Sequence, residues 1–156
     1  MIVETMKPED LAQVLAVDLA SFEGHELGVR DGEDLRARRE AQLREELARG
    51  WSSLRVVRDR GVVLGYLLAW KVVDEFHLLN VAVLPERRRA GIGRVLVEDL
   101  MARAPAEGVT RILLEVRASN VAALALYERL GFARFNLRAA YYADGEDAIE
   151  MDRVLR

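Results

Sequence analysis

Apolar positions along the chain fall into two periods, and the switches between them outline the elements. Leu11, Val14, Leu15 and Leu19 recur at three- and four-residue spacing behind Pro8 and predict a helix from Pro8 to about Leu19. Phe22 to Gly32, with three glycines, reads as irregular. Glu33 to Arg49 is charged and helical, with Leu35, Leu43 and Leu47 on a narrow apolar face, and its charges read as a solvated surface. The period then becomes that of strands: Leu54 to Arg58, Val62 to Lys71 and Phe76 to Val83, with a hairpin turn at Arg60-Gly61. Ile92, Val95, Leu96, Leu100 and Met101 mark a helix over Gly91 to Ala104. Arg111 to Val116 is a buried strand. Asn120 to Leu130 is a helix ended by Gly131, and Phe132 to Arg138 and Ala148 to Val154 form a last strand pair. The order α-α-β-β-β-α-β-α-β-β predicts an α/β fold, a mixed sheet with helices on both faces. At 156 residues, with no internal repeat or linker, the chain suits one domain over 1–156.

Composition narrows the chemistry. There is no cysteine, so disulfides, thiolate metal sites and a cysteine nucleophile are excluded. His25 and His77 are the two histidines, too few for a histidine-rich metal centre, and no metal is expected. A net charge of −3 argues against a general nucleic-acid binder. No apolar run approaches the roughly 20 residues of a membrane span, so no membrane partner is expected. Met1 to Met6 lacks the basic start and apolar block of a signal peptide, from which a cytoplasmic location is expected.

Against that background Arg88-Arg89-Ala90-Gly91-Ile92-Gly93 stands out, between a predicted strand and a predicted helix. Such a turn aims backbone N–H groups at one point, the helix dipole adds positive charge there, and glycine allows close approach. The chemistry that fits is binding of a phosphate chain. The dinucleotide fingerprint fails at Leu96, and no P-loop run exists. What remains is the spacing [Arg/Gln]-x-x-Gly-x-[Gly/Ala], met by Arg88, Gly91 and Gly93.

A second stretch, Leu114 to Tyr127, carries Glu115 inside an apolar strand. A buried carboxylate needs a reason. It reaches solvent at the strand end, it pairs with a cation such as Arg117, or it is a general base beside a cleft. Asn120 sits where a helix N-cap belongs. Tyr127, among apolar neighbours, reads from the pattern alone as packing.

Four features occur together in order: Asn80-Val81-Ala82-Val83, the loop 88–93, the run Glu115-Val116-Arg117-Ala118-Ser119-Asn120 through Tyr127, and the tail Tyr141-Tyr142 to Ala148. Together they resemble the GNAT N-acetyltransferases, and within them the bacterial ribosomal-protein alanine N-acetyltransferases. The match runs from about Val62 to Met151.

The resemblance implies a GNAT acyl-CoA N-acyltransferase fold in which strands 79–84 and 111–116 part into a V around the pantetheine arm of acetyl-CoA. It implies that the backbone of Val81, Ala82 and Val83 pairs with that arm, and that the Val83 N–H polarises the thioester carbonyl. It further implies that N–H groups of Arg88, Arg89, Ala90, Gly91, Ile92, Gly93 and Arg94 cradle the pyrophosphate and that Asn120 hydrogen-bonds the arm. Glu115 matches the proton acceptor and Tyr127 the proton donor to the leaving thiolate. The implied acceptor is the N-terminal alanine of a small-subunit ribosomal protein. Such a basic tail would be drawn to acidic residues such as Asp74, Glu75, Asp144, Glu146 and Asp147. The sequence departs from the family at Phe22-Glu23-Gly24-His25, where a proline-tryptophan segment is frequent.

Overall fold

The computed structural model of the chain describes residues 1–21 and 34–155, so the Phe22–Gly32 stretch, including Phe22-Glu23-Gly24-His25, lies outside the described residues. Seven strands make one sheet: β1 (Ile2–Thr5), β2 (Ser52–Asp59), β3 (Val62–Val72), β4 (Glu75–Val83), β5 (Arg111–Arg117), β6 (Ala133–Arg138) and β7 (Ala148–Val154). Their spatial order is β1-β2-β3-β4-β5-β7-β6, with β4 and β5 parallel and the other neighbours antiparallel. The helices are α1 (Leu11–Ser21), α2 (Leu35–Ala48), α3 (Ile92–Arg103) and α4 (Val121–Arg129).

Among the described residues, each face of the sheet is covered by two helices. α1 and α2 close a core of Val14, Leu15, Leu43, Val56 and Tyr66. α3 and α4 close the other, with Phe76, Leu96, Leu100, Ile112, Leu114 and Met151. Burial of each such side chain favours folding by about 1.5–3 kcal/mol. The expected mixed sheet with helices on both faces is therefore present.

Two expectations are corrected. The sequence pattern missed β1, a four-residue edge strand too short to show a period of two. It is held by tertiary pairing with β2, and Arg58 fastens it to Glu4 at 2.9 Å and to Asp10 at 2.8 Å. The charges of α2 are also not simply a solvated surface. Arg39 grips Asp18 of α1 through two hydrogen bonds, at 2.8 and 3.0 Å, and Asp18 is fully buried. Glu46 is buried as well, accepting from Trp70 Nε1 at 2.7 Å and from Ser52 Oγ at 2.5 Å, and pairing with Arg49. Each charge enters the protein only with its partners, as desolvation demands.

The feature that shapes the site lies in β4. Opposite Leu68 of β3 stands Asn80, but opposite Ala69 stands Leu78, so Leu79 is the extra residue of a β-bulge. On the other edge of β4, the parallel ladder with β5 runs from Glu75↔Arg111 to Leu78↔Leu114 and stops there. The strands split where the bulge begins.

Candidate active site

The split opens a cavity of about 240 Å3 whose walls include Asn80, Val81, Glu115, Asn120, Tyr127 and Tyr142. Strand alternation distributes these groups between the two faces. Leu78, Leu114 and Val116 point into the core under α3 and α4, so His77 and Glu115 point to the opposite face. Tyr127 and Asn120 approach from α4. The Glu115 carboxyl and the Tyr127 phenol thus flank the split from opposite sides.

Glu115 has 13% of its side chain exposed, and its Oε2 lies 2.6 Å from His77 Nε2. The side chain that meets Glu115 is therefore His77, not Arg117 as the sequence allowed. Arg117 instead reaches the β6–β7 loop, pairing with Asp144 and Glu146 at 2.9 Å each and lying 4.0 Å over the Tyr142 ring. Among the described residues only the Oε2 atom of Glu115 is hydrogen-bonded, which leaves Oε1 to the cavity. Sequence reasoning missed His77. Its signal is its place two residues before Leu79 on the strand parallel to that of Glu115.

Tyr127 packs edge-on against Phe132, with ring centroids 5.7 Å apart, and its hydroxyl has no hydrogen-bond partner among the described residues. Burial pushes its phenol well above the usual tyrosine range, so it holds its proton as a donor must. Tyr142, a second missed residue signalled by the Tyr141-Tyr142 tail, is pushed up to about 12, chiefly by burial. Asn120 caps α4 by accepting from the Ala123 N–H at 3.1 Å, so its side-chain NH2 is what remains for a ligand.

The backbone of β4 also faces the split. The Leu84 N–H donates to Leu64 C=O at 2.9 Å, and antiparallel alternation turns the N–H groups of Val83 and Val81 away from β3, toward the opening. Ala82 has its side chain buried on the α1 side, and the same alternation turns its N–H and C=O toward Tyr66 of β3, so Val81 and Val83, rather than all three expected residues, present main chain to the split.

The glycine loop lies where expected. α3 starts from Gly91 at φ 78° with no side chain capping it, and Arg89 is also left-handed at φ 66°. Alternating left-handed residues before an uncapped helix make a concave nest of N–H donors for an anion. A cavity of about 450 Å3 adjoins it, walled by Arg89, Gly91, Arg94, Leu126 and Arg129. Arg129 was not foreseen. A side chain at Gly93 would meet Leu126 and Val81 at 3.6 and 3.8 Å, ordinary contact distances. Arg88 and Ala90 are exposed, whereas the Ile92 side chain is core, so Ile92 offers main chain alone. A thioester carried on a long arm with a diphosphate fits this arrangement, an open strand edge ending at an anion nest.

The acidic residues expected to attract a basic acceptor tail are engaged internally. Glu75 pairs with Arg111 at 2.9 Å, Asp147 accepts the Ala140 N–H at 2.8 Å, and Asp74 accepts the Thr110 hydroxyl at 3.3 Å. Hydrogen bonds from Ser119 and Arg117 hold the Glu146 carboxyl below its usual range.

This combination of fold and site defines an acyl-transfer family. Residues 17–132 match the family model described as Acetyltransferase (GNAT) family, and the chain belongs to that family. Among its relatives, the ribosomal protein bS18-alanine N-acetyltransferase of Escherichia coli K12 is 47% identical over 96 residues, which are 60% of this chain. The chain spans 65% of the length of that relative. The N-alpha-acetyltransferase of Saccharolobus solfataricus is 45% identical over 85 residues, 54% of this chain and 51% of that protein. The crystal structure of the ribosomal-protein-S18-alanine N-acetyltransferase from Escherichia coli superposes with a TM-score of 0.82 at 30% identity, covering 99% of this chain and 93% of that one.

Proposed function

We propose that the protein is an acetyl-CoA-dependent N-acetyltransferase that acetylates the N-terminal alanine α-amine of a small-subunit ribosomal protein. The observation that carries this reading is the split of β4 from β5, with Glu115 on one face and Tyr127 on the other. The names of the bS18-alanine relatives support the acceptor.

Acetyl-CoA, when bound, supplies the acetyl group as an activated thioester. Val81 and Val83 offer their N–H groups to its arm, and the Val83 N–H polarises the carbonyl under attack. The loop Arg88–Arg94 and the Arg129 side chain hold the diphosphate. Glu115 takes a proton from the acceptor ammonium, with His77 orienting the carboxylate. Tyr127 gives its proton to the departing sulfur. An ammonium brings three N–H protons and the amide keeps one: Glu115 takes the first and later returns it to solvent, the second passes to water as the N–C bond forms and the C–S bond breaks, and solvent reprotonates Tyr127, so the net products are the amide, the coenzyme A thiol and one proton. The chain has no cysteine to take the acetyl group, and no serine–histidine pair is present among the described residues, which supports direct attack of the amine on the thioester.

An alternative acceptor is another protein N-terminus or a small-molecule amine, the former favoured by the archaeal relative's name. Acetyl transfer to a panel of peptides differing in their first residue separates them. Alanine-starting peptides should win, and a panel without that preference refutes the acceptor. Tight coenzyme A binding with no turnover on any amine would make the protein a sensor instead.

A further inference from the structure

We propose that Asn80 binds the acceptor: its side-chain carbonyl accepts a hydrogen bond from the attacking amine, and a buried Asp18–Tyr66 pair fixes it in that orientation. The inference rests on the acetyl-transfer reading above.

The argument begins in the core. Asp18 is fully buried and held by the Arg39 guanidinium at 2.8 and 3.0 Å. Paired in this way it acts as a hydrogen-bond acceptor. Tyr66, also fully buried, donates its hydroxyl proton to Asp18 Oδ1 at 2.5 Å. Burial, together with the Asp18 carboxylate, pushes the Tyr66 phenol above its ordinary range, so that proton stays on the tyrosine.

A hydroxyl has one proton. With it given to Asp18, the Tyr66 oxygen can only accept. The part of the Asn80 side chain 3.3 Å from it is therefore the NH2 group, and the carbonyl oxygen is turned away. Hydrogen-bond polarity, running from Arg39 and Asp18 outward, thus sets which way the amide faces.

Asn80 stands where two cavities meet. It lines the split cavity with Glu115, and also a cavity of about 400 Å3 beneath α2, walled by Arg39, Leu43, Glu46 and Trp70. Asn80 sits opposite Leu68, whose side chain is in the α1–α2 core, so it shares with Glu115 the sheet face away from α3 and α4. A carbonyl oxygen there selects an N–H donor. After Glu115 takes one proton, the amine keeps two N–H bonds. Holding on Asn80 the one that survives in the amide restricts rotation about the Cα–N bond, and with it the direction of the attacking lone pair.

Steady-state kinetics of the full chain with an alanine-starting peptide test this. Asn80→Ala should raise the acceptor KM roughly three- to tenfold, the scale of one lost hydrogen bond, with the acetyl-CoA KM unchanged. Asn80→Ser, which keeps an oxygen near the same place, should recover part of that loss. Tyr66→Phe should raise the acceptor KM by a smaller factor in the native background and have no effect on it in the Asn80→Ala background. A merely structural role for Tyr66 would move both backgrounds equally, and that result overturns the orienting pair. The unchanged acetyl-CoA KM also reports that each variant is folded. Equal acceptor KM in wild type and Asn80→Ala overturns the inference and leaves acetyl transfer standing. Wild-type protein that acetylates no amine removes both.

Discussion

Replacing Glu115 by glutamine removes a proton acceptor while keeping the size of the side chain and an oxygen for His77. Only the neutral amine attacks. An α-amine with pKa about 7.8 is roughly 14% neutral at pH 7 and roughly 94% neutral at pH 9, whereas a lysine with pKa about 10.4 goes from roughly 0.04% to roughly 4%. Neutralising the amine at pH 7 thus costs about 1.2 kcal/mol for the α-amine and about 4.6 kcal/mol for lysine. Since Glu115 has Oε1 open to the cavity while His77 holds Oε2 at 2.6 Å, we expect Glu115→Gln to lower kcat/KM at pH 7 by about 100-fold, the low end for a lost general base. The variant then depends on amine already neutral in solution. Its kcat/KM should rise about sevenfold from pH 7 to pH 9 and level off for an α-amine acceptor, but rise about 100-fold without levelling for a lysine. The assay is release of free coenzyme A thiol across that pH range, with wild type alongside. A variant profile parallel to wild type refutes Glu115 as the base.

Tyr127→Phe should lower kcat at least tenfold with the acetyl-CoA KM unchanged, measured by the same thiol release; a loss of cofactor affinity alone would make Tyr127 a packing group. Arg39→Ala leaves the Asp18 carboxylate buried without its cation and should destabilise the fold by about 3–5 kcal/mol in urea titrations; a loss below about 1 kcal/mol would contradict the burial of the pair. Tyr66, Tyr127 and Tyr142 all have phenols raised by burial. In the unfolded chain they ionise near pH 10, so the folded state binds more protons above that pH and stability falls as pH rises beyond it. Melting temperatures should therefore be steady up to about pH 9.5 and drop above it, less steeply in Tyr142→Phe; a melting curve unchanged to pH 11 would refute this.

Much of the fold was legible because its elements are long and periodic. The stripe Ile92, Val95, Leu96, Leu100 marked α3, and the bounds of β7 match those read from Ala148 to Val154. β1 was not legible, since four residues at a sheet edge owe their state to β2 and to Arg58 rather than to a local pattern. The roles of charged residues were the least legible. Arg39 and Glu46 read as solvated because helical spacing reports which face a residue occupies, not whether a partner 21 or 24 positions away meets it there. The same limit hid His77, whose relation to Glu115 exists only once two strands lie side by side. The glycine loop and Asn120 were legible because turns and caps are local chemistry.

The strand order has a consequence for the chain as it leaves the ribosome. β7 lies between β5 and β6, although it is made after both. Until residues 148–154 emerge, the strand bearing Glu115 has one flank unsatisfied and offers a bare edge to any neighbouring polypeptide. A translation product halted just before Ala148 should therefore be catalytically silent and prone to self-association, and competence should arrive abruptly with the insertion of a single late strand.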